Sequence, residues 1–562
     1  MSDRMAWRKL LDAMKKSALI LLLLFCVVYL LPLGIRPMTI PDESRYGEIP
    51  REMLASGDWV VPKLNGLKYF EKPVLGYWVN ALSISLFGEN RFAIRLPSAL
   101  AAGITALMLF FLCRRFSKTP FSGILAAGIY LTCLVVFALG IIGILDSLLT
   151  LFLTGALVFF FHGHHAKTRK KRGLFLALFG GFCALAFLVK GFLAFAVPVI
   201  TIFPFLLWER RFKEFMKDMW IPLLAAIVVA APWCILIHLR EGDFWRYFVV
   251  VEHINRFFTP MAGQHPEPFW YFLPILAGGT LPWFFVFPAA AGGIKKFSLK
   301  DSFFRFLICW FLFPFIFFSA CSGKLIPYIL PCFSPLAVLC SMGLTRYFES
   351  GRRKTFDISA FFFGVVTALA GLFLAASLGA DFPWRPIYGI QEHAKGIMAV
   401  IGFFIWSALS FWAATAAKPA KKLWLYGSAC VVLLAGVPCI LPDRIFDGKA
   451  PETLLTRNAS KVAPGTPLVS DAYLVHALCW FYKRDNVYLL EKSGELGYGV
   501  HHDPNQTSRL LTLKDFGAMV KNNSLKERVI LVVEEETYQR YEKLLPSPRF
   551  LDRSDGFVFA QY

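Results

Sequence analysis

Two short segments hold the side chains best suited to chemistry. Pro41-Asp42-Glu43-Ser44-Arg45-Tyr46 sets two carboxylates and a guanidinium directly behind a long apolar run, and Tyr69-Phe70-Glu71-Lys72-Pro73 adds an acid beside an ammonium. A lysine at the outer membrane surface is suited to holding a phosphate, and the functional reading of Asp42 is a carboxylate facing a catalytic cavity. The bland alternative for Asp42 is interfacial solvation or capping of a helix N-terminus. Asp146 and Lys190 interrupt apolar sequence, either as solvated loop ends or as members of the same polar cavity. Glu252-His253-Ile254-Asn255-Arg256-Phe257 offers a second cation in Arg256, and Ser322-Gly323-Lys324-Leu325-Ile326-Pro327-Tyr328 places Lys324 and Tyr328 at the end of another apolar run. Glu71, His253 and His265 have the chemistry to bind a divalent metal, but no H-x-x-x-H or comparable spacing accompanies them, so satisfied polar residues are the preferred reading.

The elements that must position these residues are membrane helices. Of 562 residues, 57% are hydrophobic and 17% charged, and 58 are Phe, which excludes secreted, fibrous and disordered classes. The net charge of +21 lies wholly before Asp443, since from there onward basic and acidic residues number 16 each. Because that excess clusters in short connectors, it follows the positive-inside pattern and argues against nucleic-acid binding. Apolar runs near 17–35, 93–113, 121–139, 143–161, 173–189, 191–208, 220–238, 269–290, 303–321, 326–345, 357–378, 396–414 and 423–441 give about 13 spans at roughly 20 residues each. The first has no cleavage site behind it and reads as an uncleaved helix starting in the cytoplasm. The connectors containing Arg114, Lys170, Arg211, Lys296, Arg353 and Lys421 then share the amino-terminal side, and the odd count puts the C-terminus outside.

The predicted fold is an all-α polytopic membrane protein, residues 1–442, followed by a small α/β domain, residues 443–562. The first outer loop, 36–91, carries Tyr46, Ile49, Met53 and Leu54 at helical spacing, which predicts an amphipathic helix on the membrane surface. In the tail, Arg528–Glu534 reads as a buried strand and Glu535–Leu545 as a helix. The 12 cysteines form no C-x-x-C pair and lie mostly in apolar runs, as small buried hydrophobes do.

The stretch Pro41 to Met53, together with Gly57-Asp58-Trp59, Asn65-Gly66 and Tyr69 to Pro73, resembles the first periplasmic loop of the aminoarabinose lipid A transferases, members of the polyprenyl-phosphate-dependent glycosyltransferase clan that includes protein mannosyltransferases. Asp146, Lys190, the Glu252–Phe257 and Lys324–Tyr328 stretches, Gly494-Glu495-Leu496-Gly497-Tyr498-Gly499 and the terminal Gln561-Tyr562 extend the resemblance along the chain, the tail elements favouring the aminoarabinose branch.

The resemblance implies a bacterial inner-membrane enzyme with a periplasmic active site. It would move 4-amino-4-deoxy-L-arabinose from undecaprenyl phosphate to a lipid A phosphate, modifying lipopolysaccharide and conferring resistance to polymyxin and cationic peptides. Its partners are then the lipid-linked sugar, lipid A and membrane lipids, with a divalent metal as the one conceivable cofactor. It further implies that Lys72, Arg256 and Tyr328 hold the carrier phosphate, that Asp42, Glu71, Asp146 and Lys190 line the reaction cavity, and that Arg45, Tyr46 and Tyr69 contact substrate. Asp42 could act on the developing cationic sugar or on the donor's ammonium. Two alternatives stay open: a related transferase with a protein or glycan acceptor, and a lipid-linked sugar transporter, whose charges should sit near mid-span. The chain has no P-loop, dinucleotide fingerprint or G-x-S-x-G elbow.

Overall fold

The computed structural model describes residues 18–117, 121–255, 266–379, 386–503, 505–523 and 528–562. The chain divides into two compact units: Met1–Ile35 with Ser98–Ala231 and Asn255–Leu441, and Arg36–Pro97 with Pro232–Ile254 and Pro442–Tyr562.

The first unit is helical. Among the described residues of the whole chain, nine helices are long and apolar enough to cross a membrane, or eleven if each of two bent pairs is a single span. Helices α1 (Ala18–Gly34) and α9 (Leu193–Glu209) are apolar but shorter. Sequence predicts unbroken spans at 121–139 and 269–290, whereas both are broken. Phe121–Thr132 and Leu134–Gly140 meet at 65°, and Phe269–Gly279 and Trp283–Ile294 at 94°. Cys133 leaves the helical region at φ −64, ψ 129, and Pro282, which has no N–H, lies in the second break. Polar groups at the two breaks find partners across helices: Leu134 N donates to the Leu281 carbonyl at 3.3 Å, Trp283 Nε1 to Thr132 Oγ1 at 2.8 Å, and the Tyr426 hydroxyl to the Pro282 carbonyl at 2.7 Å. Glycine sets one close helix contact, because a Cβ on Gly293 would overlap the Gly343 carbonyl.

The second unit begins with α2 (Asp42–Ser56), a hairpin of β1 (Lys63–Leu64) and β2 (Leu67–Lys68), and α3 (Leu75–Phe87). The helix predicted after the first apolar run is present, but it is not a surface helix with a solvated charged face. Glu43, Arg45, Glu48, Arg51 and Glu52 are all buried, and α2 packs against α3, β1 and the tail helix Val475–Tyr482. Burial is tolerated because each charge meets a partner. Glu43 lies between Arg36 and Arg95, both at 2.7 Å; Arg51 clasps Glu48 at 2.6 and 2.7 Å; and Glu52 accepts the Asn65 and Gly66 backbone N–H groups at 2.6 and 3.0 Å.

That last pair is the Asn-Gly turn of the hairpin, with φ of 59° and 70°, the left-handed geometry this dipeptide favours. Asn65 also fastens the loop to the tail: its Nδ2 donates to the Val487 carbonyl at 2.8 Å, and its Oδ1 accepts from Val487 N at 2.9 Å and Arg509 at 2.8 Å. The tail holds a six-stranded sheet in the order β5 (Leu510–Leu511), β4 (Tyr488–Leu490), β3 (Leu468–Ser470), β6 (Ile530–Glu534), β8 (Phe557–Gln561), β7 (Phe550–Ser554). The first four strands are parallel, and β8 and β7 are antiparallel additions. The predicted strand is therefore β6, followed by a helix at Glu535–Tyr541.

Asn65→Ala would leave the buried Val487 N–H without its partner at about 1–3 kcal/mol, while the Val487 carbonyl keeps the Arg509 guanidinium at 2.9 Å. Thermal unfolding of the purified full chain should show a clearly lower melting temperature than wild type, while an unchanged melting temperature would mean that this contact does not hold loop to tail.

Candidate active site

In the second unit Arg45 is the centre of the cluster. One turn of α2 puts Asp42 and Arg45 on the same face, and the guanidinium forms ion pairs with Asp42 and with Glu495 of the tail. It also donates to the Tyr69 hydroxyl at 3.2 Å and lies 5.2 Å from the centre of the Tyr46 ring, which stacks on Tyr77. The Tyr69 hydroxyl stands 3.1 Å from Glu495 and 3.4 Å from Glu71, and can donate to either. Lys72, which follows β2 closely, donates to the Glu71 carbonyl at 2.8 Å and faces the Glu252 carboxylate at 3.5 Å.

The electrostatics separate the two acids nearest Tyr69. Burial pushes the Glu71 carboxyl up to about 7, and the negative charges of Glu495 and Glu252 push the same way against Lys72 and Arg45. Burial also opposes ionisation of Glu495, but the Arg45 guanidinium holds it well below the ordinary carboxylate range. One acid is thus a fixed anion, and the other exchanges its proton near neutrality. Burial and the adjacent Arg45 push the His476 imidazole down to about 4, so it is neutral. Arg45 Nε, the Tyr77 hydroxyl and His476 Nδ1 are buried and have no hydrogen-bond partner among the described residues.

In the first unit Asp146 and Lys190 pair at 2.7 Å and are largely buried, so neither is a solvated loop end. Asp146 opens α7 (Asp146–His164) and Lys190 closes α8 (Arg169–Lys190), the ends at which the helix dipoles favour those charges. Tyr328 lies half-buried in the turn Ile326–Ile329, its ring 6.5 Å from Phe318, and the buried Lys324 donates to the Glu267 carbonyl at 2.6 Å. Arg256 and His265 fall outside the described residues. Among the described residues no three His, Cys, Asp or Glu are grouped so as to hold a metal ion.

The sequence groups Asp42, Glu71, Lys72, Asp146 and Lys190 in one cavity, with Arg45, Tyr46 and Tyr69 as substrate contacts, and assigns no role to Glu495, Glu252, His476 or Tyr77. Glu495 stands 450 positions from Arg45, and its one signal was the Gly494–Gly499 stretch.

Residues 14–248 match the dolichyl-phosphate-mannose-protein mannosyltransferase family, and residues 446–561 the arabinosyl transferase ArnT C-terminal domain. The undecaprenyl phosphate-alpha-4-amino-4-deoxy-L-arabinose arabinosyl transferase of Aeromonas hydrophila subsp. hydrophila is 38% identical over 91% of this chain and 93% of its own; that of Edwardsiella ictaluri is 37% identical over 98% and 99%. The crystal structure of ArnT from Cupriavidus metallidurans bound to undecaprenyl phosphate has the same fold, with a TM-score of 0.81 at 22% identity over 97% of each chain.

A multi-pass helical chain with these matches is a membrane glycosyltransferase of the polyprenyl-phosphate-sugar class. Within that class it belongs to the undecaprenyl phosphate-aminoarabinose arabinosyl transferase family.

Glu71 generates a pH-dependence. Its folded carboxyl holds a proton more tightly than the ordinary value of 4.5, so its stabilising contribution is complete below that value and is lost as pH rises through about 7. The melting temperature of Glu71→Gln should therefore fall less than that of wild type between about pH 5 and 8, and parallel curves would contradict the buried, proton-exchanging acid.

Proposed function

We propose that this chain transfers 4-amino-4-deoxy-L-arabinose from undecaprenyl phosphate to a phosphate of lipid A, at the periplasmic face of a bacterial inner membrane. The observation that carries this reading is the Arg45 cluster, in which Asp42 is held by an ion pair one turn away while Lys72 stands next to Glu71. In the reaction the bond from the anomeric carbon to the carrier phosphate breaks, its electron pair leaving with the phosphate, and an oxygen of the lipid A phosphate forms the new bond. Lys72 stabilises the departing phosphate and Asp42 the developing positive charge on the sugar. The acceptor phosphate is already ionised, so Glu71 has no attacking proton to remove and serves to tune the charge beside Lys72.

Arg256, Tyr328, Asp146 and Lys190 are proposed as further substrate-facing groups on the strength of the family motif. Counting α1, α9 and each bent pair as crossings gives about 13 spans at a bilayer's thickness, with residues 443–562 as a periplasmic α/β domain. Against the transporter alternative, Asp146 and Lys190 stand at helix ends and not at mid-helix, where coupling charges belong.

Mass spectrometry of lipid A from cells with and without the gene tests the assignment directly. A mass increase of one aminopentose supports it, another added sugar moves it within the class, and no change removes it. Lys72→Ala should lower turnover about a hundredfold, roughly 3 kcal/mol of transition-state stabilisation, with membrane insertion intact; wild-type turnover would sink its role. Asp42→Asn separates the two roles of that carboxylate. If it stabilises the reacting sugar, turnover should fall equally on the amino sugar donor and on its N-formylated analogue; a loss confined to the charged donor would make it an ammonium-recognising residue.

A further inference from the structure

The tail sheet is doubly wound. From β3 the chain adds β4 and then β5 on one side and returns to place β6 on the other, all four parallel, so the order reverses between β3 and β6. Parallel strands bring their carboxyl ends to one edge, and open α/β sheets bind ligands outside that edge, where the order reverses. In this chain the edge is fixed against the Arg45 cluster. Glu495, in the connection that leaves β4, forms an ion pair with Arg45, which also pairs with Asp42. The connections leaving β3 and β4 touch, since a Cβ on Gly494 would stand 2.7 Å from that of Ala472.

At the reversal point Ser470 ends β3, Glu534 ends β6, and Asp471 and Tyr473 follow β3 directly. The register pairs Ser470 with Val532, so alternation sets Ser470 and Glu534 on one face of the sheet, opposite the apolar core around Val469, Leu531 and Val533. Both carboxylate oxygens of Asp471 are occupied: Oδ1 accepts from Tyr473 N at 3.0 Å and Leu474 N at 2.8 Å, and Oδ2 from Glu534 N at 2.7 Å. The half-buried Glu534 carboxylate and Tyr473 hydroxyl, by contrast, make no ion pair or hydrogen bond among the described residues. Ser470 Oγ is fully buried and also has no partner there. An unanswered buried hydroxyl at the strand end where such sheets take ligands is a polar demand that an occupant of the crevice meets.

Charge decides what that occupant is. Burial, then the negative charges of Asp471 and Glu536, push the Glu534 carboxyl up to about 7, and no basic side chain among the described residues opposes them. Burial pushes the Tyr473 hydroxyl up as well, followed by Glu534, Asp42 and Asp471, so Tyr473 feels the crevice and the Arg45 cluster together. Such an edge repels a phosphate, whereas a cation relieves it. We propose that Glu534 and Tyr473 form the subsite for the ammonium of the transferred amino sugar, leaving Asp42 to the reacting end. The inference rests on the donor named under the proposed function and makes Glu534 a specificity-determining residue for it.

The test uses the full chain in nanodiscs, with undecaprenyl phosphate 4-amino-4-deoxy-L-arabinose and its N-formylated analogue as probes and binding read by titration calorimetry. Glu534→Gln should weaken binding of the amino donor about thirtyfold, the scale of one lost hydrogen bond to a charged group, and leave the uncharged analogue unchanged. Tyr473→Phe should weaken the amino donor alone by about fivefold, and it decides by itself should Glu534→Gln fail to fold. Undiminished binding of the amino donor, or equal losses on both donors, would overturn the proposal. So would a loss of the same size produced in wild type by EDTA, which would make the crevice a metal site. Transfer of the amino sugar to lipid A by wild type is scored separately: its absence beside amine-selective binding removes the function reading and leaves the subsite standing.

Discussion

A charge taken out of water must meet a counter-charge, and the Arg45 cluster exists because of that constraint. The guanidinium is 6% exposed and bound to carboxylates from two distant parts of the sequence, Asp42 of α2 and Glu495 of the tail. Neither acid could be lost without leaving a less compensated cation in a buried place. The same condition recurs along α2, where Glu43 requires Arg36 and Arg95 and Glu48 requires Arg51, whereas burial pushes the Glu52 carboxyl up to about 8 and the backbone of the Asn65-Gly66 turn donates to it. The helix is accordingly fixed by polar geometry more than by an apolar stripe, and the hairpin and tail that complete its pairing are fixed with it.

That rigidity has a chemical consequence. Electrostatic catalysis works when donors and charges are oriented before the reaction begins, so that little reorganisation accompanies the transition state. Asp42 is held at one end by Arg45 while its side chain remains 52% exposed, which leaves the carboxylate oriented and reachable. Lys72 is anchored by the Glu71 carbonyl at 2.8 Å and forms a longer ion pair with Glu252 at 3.5 Å, so an incoming phosphate would compete with that carboxylate for its charge. Placing a proton-exchanging Glu71 beside an ionised Glu495 limits the negative charge gathered around Lys72.

The membrane character and the helical runs were legible in the sequence because hydrocarbon thickness fixes the length of an apolar segment. The breaks at Cys133 and near Pro282 were not, since apolarity continues through both while the backbone turns, and the groups that satisfy the freed backbone come from other helices. The helix of the first loop was legible but expected at a surface: helical spacing of apolar residues reports that one face is buried, not that the charged face is buried as well. Glu495 shows the remaining limit, because a contact across 450 positions leaves no local pattern. In the tail, strand β6 was recognisable from its unbroken apolar run, whereas β5 at two residues is too short to signal itself.

The central claim is that Arg45 and Glu495 act as one unit in orienting the site. A double-mutant cycle on turnover of the purified enzyme, comparing Arg45→Met, Glu495→Gln and the pair, measures it directly. If the ion pair is the working unit, the double variant should be no slower than the slower single variant. Losses that simply multiply would contradict the claim and assign the two residues independent roles.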